Sequence, residues 1–214
     1  METGSRWGNT EHLTEHLNGL FPGLEFPQEL AKRLLTHASH PAAIDGHNGG
    51  FGFIGRRVLE SYLSLFLTSC SSLHPSHDFE LITSRTLNTY ILGEHVGSAW
   101  GIGRNLRWTP TVKADRWKNA PASGEEKGRL VRDVGLYKIQ GDAVASIMGG
   151  VFHQFGGSTA HRLFHTRILP SLLLPGQPIG LLDTFHREAK EICERMGGSE
   201  GSLAAPSEKQ RVHA

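Results

Sequence analysis

Cys70 and Cys193 are the chain's two cysteines, and they stand far apart. They form neither a C-x-x-C pair nor a zinc spacing, so a disulfide-stapled secreted scaffold is excluded and two reduced, half-buried thiols in an intracellular chain are expected. No apolar run approaches the ~20 residues needed to cross a bilayer, and no membrane span is expected. The opening "METGSRWGNTEHL" has neither a signal-peptide core nor an Arg-rich amphipathic presequence. Charge of one sign is also missing: 22 Lys and Arg meet 21 Asp and Glu, so bulk electrostatics selects no partner. Alternating strand patterns are absent, and no serine stands beside a placed His and acid.

Glycine and helical periodicity are present instead. Glycine makes up 26 of 214 residues, against a usual ~7%, which predicts close helix contacts. In "FPQELAKRLLTHASH", Pro27 suits a first helical position, with Leu30, Ala31, Leu34 and Leu35 on one face. A second helix follows Gly50, with Ile54, Val58, Leu59, Tyr62, Leu65 and Phe66 at core spacing. A third is expected from about Leu81 to Ala99. A fourth, "GDAVASIMGGVFHQFGG", stripes Val144, Ile147, Met148, Val151, Phe152 and Phe155. A fifth runs from Ser158 to Leu169. The last starts at Pro178, buries Leu182, Phe185, Ala189, Ile192 and Met196, and ends in capping glycines. The chain therefore reads as all-α. Residues 1–20 form an N-terminal extension, 21–198 the domain, and 199–214 a polar tail expected to be disordered.

The periodicity breaks over about 100–132. There Arg104, Arg107, Lys113, Arg116, Lys118, Lys127, Arg129 and Arg132 face only Asp115, Glu125 and Glu126, with Trp100, Trp108 and Trp117 interleaved. Basic side chains neutralise phosphates and planar rings stack on bases, which marks this insertion as a candidate RNA-binding segment. The alternative is a solvated insertion whose tryptophans pin it to the core.

"HNGGFGFIGRRVL", from His47, contains G-x-G-x-x-G at Gly50, Gly52 and Gly55. A dinucleotide fingerprint needs a strand before it and a βαβ unit around it. Here a helix and a loop precede, so that reading fails. The stretch instead resembles the signature of the ribonuclease III domain, H-N-E-R-L-E-F-L-G-D followed by V-L: His47, Asn48, Phe53, Gly55, Val58 and Leu59 match. Upstream, "LLTHASH" is similar to the family's L-T-H-x-S element, and "GDAVASIMGGVFHQFGG" to its second motif. The resemblance implies an all-α ribonuclease III-like fold over most of Phe26 to Leu169.

It also implies a magnesium site of four carboxylates, spaced i,i+4 and i,i+3 so that each pair shares a helix face. In this sequence those positions hold Gly52 and Arg56, then Asp142 and Ala145. One acid survives and one position carries a cation. Magnesium requires anionic oxygens, so no cofactor, no metal site and no catalytic residue are expected. Arg56 is placed to pair with Asp142 or with a phosphate oxygen. Asp142 is otherwise expected near a helix N-terminus, and Glu60 in an i,i+4 ion pair. His161 and His165, also i,i+4, lack a third zinc ligand and are expected to be solvated or to face RNA.

By resemblance, Phe53 stands where family members insert a phenylalanine into a partner's socket. A degenerate domain of this type resembles a ribonuclease III-like component of fungal mitochondrial large ribosomal subunits. That likeness implies a mitochondrial, non-catalytic structural role, with ribosomal RNA and a second ribonuclease III-like subunit, or a second copy of itself, as partners. Two other functions stay open: a double-stranded RNA endonuclease with a rearranged metal site, and a free RNA-binding regulator.

Overall fold

Glycine sets the spacing of the central helices. The structure, a computed structural model, describes residues 9–110 and 135–204. Helix α1 is Glu11–Leu20, α2 Gln28–Leu34, α3 Gly49–Ser69 and α4 Phe79–Thr86. Helix α5, Thr89–Ile91, runs straight into a π turn, Leu92–Gly97. Helix α6 is Leu136–Leu163 and α7 His186–Arg195. Among the described residues no strand occurs, only an isolated parallel bridge between Thr36 and Arg107.

Long, central α6 packs against both α3 and α5 along one ridge, Tyr137, Gly141, Ala145 and Gly149. A Cβ placed on Gly55 would overlap the Ala145 carbonyl oxygen, and one on Gly149 would overlap that of Phe51. Glycine at both positions therefore lets the α3 and α6 backbones touch. Gly93 against Tyr137 and Gly141 against Thr89 do the same for α5. The α6 stripe of Val144, Ile147, Met148 and Val151 is buried. A fully buried side chain of this kind contributes about 2 kcal/mol through water exclusion.

Several elements differ from the sequence expectation for identifiable reasons. The expected 81–99 helix is broken at Leu87–Asn88, because Asn88 leaves helical geometry and its side chain accepts from the Tyr90 N–H at 2.9 Å. The helix expected from Ser158 is present as a run of its own: Gly156, at φ +85° and ψ 169°, interrupts the helical backbone within α6, and beyond Leu163 the run passes into a π turn, Phe164–Ile168. Helix α7 begins at His186 and not at Pro178, since Gly180 (φ +76°) interrupts the chain before a 3-10 turn at Asp183–Phe185. Gly197 and Gly198, both at positive φ, do terminate it.

The ends are also more built than their composition suggests. Residues 1–20 read as an extension, yet α1 buries Leu13 and Leu17 completely. From 199–214, residues 199–204 are described. Leu203 is buried there, while Arg162 donates to the Ser202 and Met196 carbonyls and Arg167 to that of Gly201. Residues 205–214 lie outside the described residues. No helix among the described residues is long and apolar enough to cross a membrane.

Candidate functional site

Asn48 precedes α3, but its side chain makes no capping bond; the His47 Nδ1 accepts from the Gly49 N–H at 3.1 Å instead. From this start the Gly55–Ala145 contact fixes the register of α3 along α6. That register places Gly52 against the Asp142 main-chain oxygen and points Arg56 at the Asp142 side chain. Gly52, Arg56 and Asp142 thus meet at one place, while Ala145 is buried in the adjoining helix contact. Arg56 Nη1 donates to Asp142 Oδ1 at 3.2 Å, with side-chain exposures of 47% and 25%. Asp142 lies six residues inside α6, so its partner is this arginine and not the helix terminus. Glu60 pairs with Arg57 at 2.8 Å, an i,i+3 contact in place of the expected i,i+4 one.

Beside the ion pair is a pocket of about 130 Å³ lined by His37, Ala38, Asn48, Gly49, Gly52, Arg56 and Asp142. The His37 Nδ1 accepts from the Ser39 N–H at 3.1 Å, which leaves Nε2 as the proton-bearing nitrogen of the neutral ring. Burial lowers the His37 pKa, nearby Asp142 opposes that shift, and His47 and Lys138 add to it. Asn48 is 3% exposed, and its amide nitrogen has no hydrogen-bond partner.

The donor set does not fit a hard divalent cation. One carboxylate lines the pocket, and a guanidinium already engages it. Gly52 offers no side chain, and Ala145 is a methyl group 1% exposed at the helix contact. Magnesium seeks several anionic oxygens in near-octahedral geometry. Among the described residues, no three His, Cys, Asp or Glu side chains gather where they could hold a metal ion. His161 and His165 stack edge-to-face at 4.6 Å between ring centroids. Contrary to the expectation of solvated or RNA-facing rings, His165 is buried, and burial, with His161 and Arg195 adding, pushes its pKa down to about 4.

Of the candidate RNA-binding residues, Arg104 is exposed in the 3-10 turn Ile102–Arg104. Arg107 is partly buried: its main chain bonds to Leu35 and His37, and neither Nη1 nor Nη2 has a partner. Lys113, Arg116, Lys118, Lys127, Arg129, Arg132 and Trp117 lie outside the described residues. Trp100 belongs to the core, edge-on to Phe21 at 5.0 Å, and Trp108 packs against that core. Trp100, buried, thereby has the pinning role.

Phe53 points outward and is 62% exposed. It borders an apolar groove of about 460 Å³ with Ile54, Arg57, Val58, Ser61, Tyr62 and Phe152. Ile54, Leu65 and Phe152, read from sequence as core, are exposed on this side of the molecule. Phe53 entered the sequence reading by resemblance, and no periodic signal marked a second apolar face on α3. Asn48 and the pocket beside it had no such signal either, because their neighbours are distant in the chain.

No curated protein matches the sequence. A family model described as Ribonuclease-III-like matches residues 27–172, more than half of the 214-residue chain and both halves of the Arg56–Asp142 site. The chain therefore belongs to the Ribonuclease-III-like family.

Proposed function

We propose that this protein is a non-catalytic, RNA-binding member of the family and serves as a structural subunit of the mitochondrial large ribosomal subunit. The observation that carries the non-catalytic reading is the Arg56–Asp142 ion pair at the place where converging carboxylates would hold magnesium. Without a bound cation, no group there lowers the pKa of a hydrolytic water or offsets charge on a leaving oxygen. Arg104 and the basic residues of the 100–132 segment supply phosphate contacts, and the salt dependence of RNA binding reports their number.

The Phe53 groove supports a paired assembly. An exposed phenylalanine beside an apolar groove is a surface that association would cover. A second ribonuclease III-like chain is the proposed occupant, with a second copy of this chain as the competing outcome. The ribosomal and mitochondrial assignments rest on the resemblance of a degenerate domain to such ribosomal components.

Sedimentation of a mitochondrial lysate at high salt tests the assignment. Continued co-migration with the large ribosomal particle is expected; release from it identifies a free regulator. Incubation with double-stranded RNA and magnesium tests the non-catalytic reading. Specific cleavage that Asp142→Asn abolishes would establish an endonuclease with a rearranged metal site.

A further inference from the structure

The pocket beside Arg56 has the chemistry of an anion site. Its wall carries the Arg56 guanidinium, which bonds to Asp142 through Nη1. His37 presents a neutral ring whose Nε2 bears the proton. Asn48, almost wholly buried, has an amide nitrogen with no partner. Gly49 brings the start of the 21-residue helix α3 to the same wall, and a helix start carries about half a positive charge. Lys138 is close enough to act on His37 electrostatically. Among the described residues, Asp142 is the one anionic group lining the pocket, and Arg56 neutralises it.

We infer that this pocket binds a phosphate-type oxyanion directly, without a metal, using Arg56, Asn48 and His37 as donors. The inference rests on the RNA-binding reading only for the source of the phosphate. An RNA backbone phosphate and free phosphate present the same oxygens, and the arms of the test separate them. Asp142 works against the anion, both by its own charge and by occupying part of Arg56. Two substitutions in the same pocket should therefore act in opposite directions, which a general loss of fold cannot imitate.

The test is a titration of the full chain with inorganic phosphate at low ionic strength, followed by the amide signals of Gly49 and Gly52 and the Nε–H signal of Arg56. Saturable shifts at these three groups are expected, and matched chloride should not reproduce them. Arg56→Gln should weaken binding at least fivefold, whereas Asp142→Asn should tighten it several-fold. Absence of saturable shifts, or movement of both variants in the same direction, overturns the inference. In the RNA arm, binding to a double-stranded RNA is measured against salt. If an RNA phosphate occupies the pocket, Arg56→Gln lowers the slope of log K against log[salt] by about one contact. An unchanged slope with phosphate shifts intact supports the site and assigns it to free phosphate. RNA binding without any phosphate effect overturns the site and leaves the RNA-binding reading standing. Phosphate shifts without RNA binding do the reverse.

Discussion

Arg56 and Asp142 join α3 to α6 at 3.2 Å, across 86 residues of sequence. Both side chains are partly solvated, and ion pairs of this exposure contribute about 0–1 kcal/mol. The pair is therefore a weak clamp, and its main effect is on which ligands the pocket accepts. Arg56→Gln should cost under about 1 kcal/mol in chemical denaturation; a loss of several kcal/mol would make the pair a structural necessity.

The close contact of α3 and α6 has stricter requirements. Gly55→Ala drives a methyl group into the Ala145 carbonyl, which belongs to backbone and cannot swing aside. Destabilisation of about 3 kcal/mol or more is expected from such overpacking. Gly50→Ala, with nothing within 4 Å of its added Cβ, should stay within about 0.5 kcal/mol of wild type. Equal effects at the two positions would contradict the packing described.

This contrast marks what was legible in the sequence. Periodicity located the buried faces of α2, α3 and α6, because burial alone decides them. It could not separate the two sides of α3, where Ile54 and Leu65 have core chemistry but face outward. Nor could it find the break at Asn88, which depends on local capping, whereas the glycine pair at Gly156 and Gly157 did mark the boundary after which a fifth helix was expected. Of the site, the four motif positions, three of them substituted, were readable through the resemblance to the family's two motifs. The lining by Asn48 and His37 was not, since tertiary packing brings the 37–56 and 142 regions together.

His165 makes stability pH-dependent. In the folded chain it stays neutral down to about pH 4, whereas its ordinary pKa is 6.5. Between those values the unfolded state binds more protons, so stability is complete above about pH 6.5 and drains as pH falls toward 4. The full swing is on the order of 3 kcal/mol. Burial shifts His16, His37, His40 and His161 in the same direction, which adds to the slope. Thermal unfolding between pH 7 and 5 should show the loss, and His165→Phe should flatten it. An unchanged slope in that variant would exclude His165 as its origin.

Phe53 makes few intramolecular demands. Phe53→Ala should leave stability within about 0.5 kcal/mol, as expected of an exposed position. Association measured by analytical ultracentrifugation should weaken at least tenfold, with or without a second ribonuclease III-like chain as partner. Association that survives the change would place the interface elsewhere.

The lost metal chemistry should be partly recoverable. A Cβ at Gly52 sits 3.7 Å from the Asp142 main-chain oxygen, an ordinary contact, so a side chain fits there. Gly52→Glu combined with Arg56→Glu would bring three carboxylates together with Asp142. The double variant should gain thermal stability with increasing manganese, by linkage to cation binding. No gain would mean that the helix contact itself, closed at Ala145, prevents coordination.

The most direct measurement is a manganese titration of the unaltered full chain, read from paramagnetic broadening of its amide signals. Charge neutrality at Arg56 and Asp142 predicts no saturable broadening centred on Gly52 and Asp142. Broadening that is strongest at those two residues, saturates, and disappears in Asp142→Asn would contradict it.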